Sequence, residues 1–80
     1  MQNSDYIKED KTSDEILTTI GARIKIFRLK MNMTQNKLAG ECDFQKASMS
    51  RIESGKINVT ICTLYKISQV LNINISELVS

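Results

Sequence analysis

Residues 34–56 read TQNKLAGECDFQKASMSRIESGK. Their second half, QKASMSRIESGK over 45–56, has only two large apolar side chains, Met49 and Ile52, three residues apart. At about 100° per residue these two define one narrow inward edge of a helix. Ala47, Ser50, Arg51 and Ser54 fall on the opposite side, Lys46 lies about a quarter turn from them, and Glu53 sits on the inner flank. Three of the four outward side chains are small, so another surface can approach the backbone closely. The first half, Thr34 to Glu41, is a second short helix with an N-cap hydroxyl and Leu38 and Ala39 on its inner side. Two helices crossing steeply need a small residue at their contact, and Ala39 supplies it. Leu38, Cys42, Phe44, Met49 and Ile52 are the side chains expected to lock the crossing angle, and Asp43 to turn the chain with positive φ.

The rest of the chain is built around this pair. Thr12-Ser-Asp-Glu15 has the form of a capping box and opens a helix on the stripe Ile16, Ile20, Ile24, Phe27 and Met31. Its end is expected near Lys30–Asn32, where asparagine can take a left-handed cap. Gly55 closes the segment that holds Met49 and Ile52. Beyond it, Ile61, Leu64, Ile67, Ser68 and Leu71 form another helical stripe, ended by Asn72. Asn74-Ile-Ser-Glu77 is a second capping box, followed by Leu78 and Val79. The expected fold is all-α, with five short helices and connections of two to six residues. Residues 1–12 are read as a flexible acidic tail and 13–80 as one domain, with 35–54 at its centre.

Composition narrows the chemistry. Eighty residues make one small domain, 41% hydrophobic and 25% charged, without a run long enough to span a bilayer. The start lacks the pattern of a signal peptide, so a cytoplasmic location is expected. There is no histidine, and Cys42 and Cys62 are far apart, so no metal site or cofactor is expected and both thiols are read as small buried hydrophobes. Without a nucleophile motif or a phosphate-cradling glycine loop, the chain is not expected to be an enzyme. The net charge of +2 divides unevenly: residues 1–15 carry −3 and residues 16–80 carry +5. A basic body is compatible with a polyanion partner.

The segment Ile20–Val79 resembles the lambda-repressor-like (Cro/C1, or xenobiotic-response-element) helix-turn-helix family. The matching stretches are IGARIKIFRLKMNMTQNKLA, MSRIESGK and TLYKISQVLNINISELV. The most specific part is Thr-Gln-x-x-Leu-Ala, followed ten residues later by Met-Ser-Arg-Ile-Glu-Ser-Gly-Lys. The resemblance implies a five-helix DNA-binding domain whose third helix, residues 46–53, enters the major groove. It also implies that Glu53 pairs with Arg28 on the first helix and that Gln35, Lys56 and Asn58 touch DNA phosphates. Lys46, Ala47, Ser50 and Arg51 are the candidate base-reading residues, since lysine or arginine can donate to guanine and alanine can touch a thymine methyl.

This chain departs from the family pattern at Asp43, where glycine is usual, at Gln45, where serine or threonine commonly caps, and at Val59, where proline is often found. The expected function is a sequence-specific transcriptional regulator acting as a homodimer on a palindromic operator, with the C-terminal cluster Ile73, Ile75, Leu78 and Val79 available to a two-fold axis. The small controller proteins of restriction–modification systems and Cro-like repressors share its single-domain length. The alternative is an antitoxin or other protein-interaction module, binding a protein partner through the acidic N-terminal tail.

Overall fold

The computed structural model of the protein describes residues 12–79. The expected tail, 1–12, therefore lies outside the described residues except for Thr12. The described chain folds into five helices: α1 (Ser13–Lys30), α2 (Gln35–Glu41), α3 (Lys46–Glu53), α4 (Ile61–Val70) and α5 (Ser76–Val79). Among the described residues there are no strands.

Short polar caps start most of these helices. The Thr12 hydroxyl accepts from the Glu15 amide at 3.2 Å, and the Glu15 carboxylate accepts from the Thr12 amide at 2.8 Å, closing a capping box. Thr34 and Thr60 accept from the amides of Lys37 and Thr63, at 3.0 and 3.1 Å. The second expected box is half made. Glu77 accepts from the Asn74 amide at 3.3 Å, but the Glu77 amide bonds to the Asn74 main-chain carbonyl instead of its side chain. At Gln45 no side-chain cap bond forms.

The four longer helices all stop in the same way. Asn32, Asp43, Gly55 and Asn72 adopt φ of 57°, 61°, 73° and 58°. After each, an amide bonds back to the carbonyl five residues earlier: Met33 to Arg28, Phe44 to Ala39, Lys56 to Arg51 and Ile73 to Ser68, at 2.7–3.1 Å. This is the Schellman arrangement, which satisfies carbonyls that a helix end otherwise leaves open. It also turns the chain sharply, so α2 and α3 are joined by only Cys42–Gln45.

The core is Ile20, Ile24, Leu38, Ala39, Cys42, Met49, Ile52, Leu64, Ile67, Leu71 and Leu78. Each large side chain so buried contributes about 1.5–3 kcal/mol. α3 packs on α2 and on α1, α5 packs on α1, and α2 touches α4. The first stripe read from sequence is exposed at both ends and the second at its start only, since Leu71 is buried. Ile16, Met31 and Ile61 are 46%, 45% and 64% exposed, because the neighbours that cover Ile24 and Ile67 do not extend that far. The two cysteines also differ: Cys42 is buried, but Cys62, expected inside, is exposed on the first turn of α4.

Candidate nucleic-acid interface

The site is the outward side of α3 and the loop that follows it. Met49, Ile52 and Glu53 are buried, whereas Lys46, Ala47, Ser50, Arg51 and Ser54 are all exposed. Ser48 is half-buried between them. The Ser54 hydroxyl donates back to the Ser50 carbonyl at 2.9 Å, so it finishes the helix and leaves the open face to Lys46, Ala47, Ser50 and Arg51. Lys56 and Asn58 follow, both exposed.

What fixes this face is the C-terminal end of α3. Glu53 and Arg28 form a bidentate pair, Nε to Oε2 at 2.7 Å and Nη2 to Oε1 at 3.0 Å. Their side chains are only 8% and 3% exposed for Arg28 and Glu53. The remaining guanidinium nitrogen, Nη1, donates to the Met33 carbonyl at 2.7 Å, so the Arg28 fork cannot swing away. Gln35 completes the cluster, with Nε2 donating to Glu53 Oε1 at 3.1 Å. A carboxylate only accepts, so the amide must turn its NH2 inward.

A second support was not singled out from the sequence. A Cβ on Gly21 would stand 2.5 Å from the Ile52 carbonyl oxygen and nearer still to that of Glu53. The last turn of α3 therefore lies directly on the backbone of α1. Gly55 is also tight, since a Cβ there would lie 2.8 Å from Thr18 Cα. A glycine inside a helix carries no local sign that another backbone will approach it, and only the assembled tertiary structure reveals it.

The electrostatics favour an anion. Lys46, Arg51 and Lys56 are exposed along the face, while the acid on the same helix, Glu53, is neutralised internally. The acids flanking the turn have cationic partners: Glu41 with Lys37 at 3.0 Å and Asp43 with Lys66 at 3.4 Å. Burial pushes the Cys42 thiol above its ordinary range, and the nearby Asp43 and Glu41 charges act in the same direction against Lys66. Cys42 is thus a neutral packing group beneath the turn. Among the described residues, no group of His, Cys, Asp and Glu could hold a metal ion, and no helix is long and apolar enough to cross a membrane.

Comparison with known proteins agrees with this geometry. The helix-turn-helix family profile matches residues 24–78. Control protein C.BamHI from Bacillus amyloliquefaciens is 37% identical over 67 residues, 82% of this chain and 83% of that protein. An HTH-type transcriptional regulator of Archaeoglobus fulgidus, itself uncharacterized, is 39% identical over 56 residues, 70% of this chain and 79% of that protein. Among solved structures, the restriction-modification controller protein C.AhdI from Aeromonas hydrophila superposes with a TM-score of 0.75 at 26% identity, covering 78% of this chain and 94% of that one. With the profile spanning most of the five-helix body, the steep α2–α3 pair included, the chain belongs to the helix-turn-helix family.

Proposed function

We propose that the protein is a sequence-specific DNA-binding transcriptional regulator that lays α3 in the major groove and acts as a homodimer. The observation that carries this reading is the division of α3 into a buried edge and an open, low-profile cationic face. Such a helix fits a major groove about 12 Å wide, which bulky side chains at Ala47 or Ser50 would obstruct. Lys46, Ala47, Ser50 and Arg51 are assigned to base edges. Lys56, Asn58 and the main-chain amide of Gln35 at the start of α2 are assigned to phosphates. The likeness to C.BamHI and C.AhdI favours a controller role in a restriction–modification system, which neighbouring methyltransferase and endonuclease genes would support.

A single α3 spans only a few base pairs, so useful affinity calls for two half-sites about one DNA turn apart. The C-terminal face supplies apolar surface for this pairing. Tyr65 and Val79 are exposed, Ile73 and Ile75 are half-buried, and an open groove of about 740 Å³ runs between α4 and residues 72–77. Leu78 is fully buried within the protomer and belongs to the core. The antitoxin alternative leaned on the acidic tail, residues 1–11 of which lie outside the described residues, and the named relatives favour regulation.

Selection of bound duplexes from a random library, followed by titration at two salt concentrations, tests the proposal. A palindromic consensus with salt-dependent affinity is the expected result. Binding without any consensus would remove sequence-specific regulation, and sedimentation showing only monomer at micromolar concentration would remove the homodimer.

A further inference from the structure

The Gln35 amide stands at the meeting point of the interface and the buried ion pair. It is the first residue of α2, half-buried, and its Nε2 reaches Glu53 Oε1 at 3.1 Å. Glu53 is the last residue of α3. Its carboxylate accepts from α1 through two Arg28 nitrogens and from α2 through Gln35, so two helices hold the end of α3 from two directions. The Arg28 arm is buried and locked by Met33, whereas the Gln35 arm borders solvent. Removing Arg28 would strand a buried carboxylate. Removing only the Gln35 donor leaves Oε1 its bond from Arg28, and water can reach the freed lone pair.

The two arms therefore do different work. Arg28 ties Glu53 to α1, and Gln35 ties it to α2 from a second direction, which would resist roll of α3 about its own axis. Roll decides where Ser50 and Arg51 point, because they lie three and two residues before Glu53 on the same short helix. We infer that Gln35 is a positioning residue for sequence recognition, acting through Glu53 to aim Arg51 and Ser50 at the base edges. This inference rests on the DNA-binding reading and adds to it, since a simple phosphate contact would carry no sequence information.

The test compares wild type, Gln35→Met, Arg51→Ala and the double variant, each on the selected consensus duplex and on a scrambled duplex of equal length, across a salt series. Met preserves length and helix propensity and removes the donor. Gln35→Met is expected to lower the consensus-to-scrambled affinity ratio by about tenfold, the scale of one hydrogen bond to a charged group. Its salt slope should stay unchanged, and in the double variant the Gln35 change should cost less discrimination than it does alone, since only the Ser50 contribution remains to be lost.

Equal weakening on both duplexes would make the Gln35 side chain a sequence-independent backbone contact and overturn the inference. Losses in the ratio that multiply in the double variant would overturn it too, as would no change at all. A wild-type chain that prefers no duplex would instead overturn the DNA reading itself, so the two failures are distinguishable. Melting curves of each variant, recorded alongside, confine the comparison to folded protein.

Discussion

The two ends of α3 are held in contrasting ways. At the C-terminal end, Glu53 accepts three hydrogen bonds from α1 and α2, the Ile52 and Glu53 carbonyls rest on Gly21, and Gly55 turns against Thr18. At the N-terminal end, Gln45 provides no side-chain cap and Lys46 and Ala47 project into solvent. The side-chain anchors are concentrated at one end, and Arg51 lies beside them while Lys46 lies at the other. Under this arrangement Arg51 is presented in a nearly fixed direction, and Lys46 can adjust to the duplex it meets.

The largest way to break the contrast is Glu53→Ala. It leaves Arg28 buried without its anion, and the expected loss is about 3–5 kcal/mol, read as a collapse of the urea midpoint. Unchanged stability would mean that the pair is not what fastens α3. Gly21→Ala comes next. Its methyl must push α3 away from α1, at about 2–3 kcal/mol, or roughly 10–20 °C in Tm for a domain this size. Sharpening the loose end should have the opposite sign. Gln45→Ser supplies the missing cap and should add about 1 kcal/mol, visible as a rise in Tm.

A smaller gain is expected from Gly40→Ala, because a Cβ at this exposed α2 position meets no atom within 4 Å. Replacing a helical glycine there should add about 0.5–1 kcal/mol. The opposite signs of Gly40→Ala and Gly21→Ala isolate the close approach as the cause. Lys56→Ala should leave Tm almost unmoved, weaken binding to all duplexes alike and flatten the salt slope by about one unit. An effect confined to one base position would contradict its assignment to the backbone.

Much of this frame was legible because the signals are local. Thr12, Thr34 and Thr60 announce helix starts through their hydroxyls, and Asn32, Asp43 and Asn72 announce helix ends because short polar side chains tolerate left-handed backbone. The inner positions of α3 followed from two residues and a rotation angle. What escaped depended on distance along the chain. The exposure of Ile16 and Ile61 reflects where neighbouring helices stop, which no stripe records. The burial expected for Cys62 failed for the same reason, since one turn of α4 projects beyond its cover. Gly21 was silent because its role is defined by the backbone of Ile52 and Glu53, far along the chain. The resemblance places Gln35 against a phosphate, and only the finished packing shows that its side-chain amide also reaches Glu53.

The unequal cysteines give the molecule a built-in reporter. Cys62 is open to solvent, so a thiol reagent can mark the native protein at one chosen point without any mutation. Cys42 lies fully buried under the turn between α2 and α3, with its thiolate disfavoured by burial. A reagent reaches it only when that junction opens, because the thiolate is the reactive form and must be both exposed and formed. The second, slower labelling event therefore counts openings of the DNA-reading unit itself, and bound operator would be seen as a lengthening of that interval.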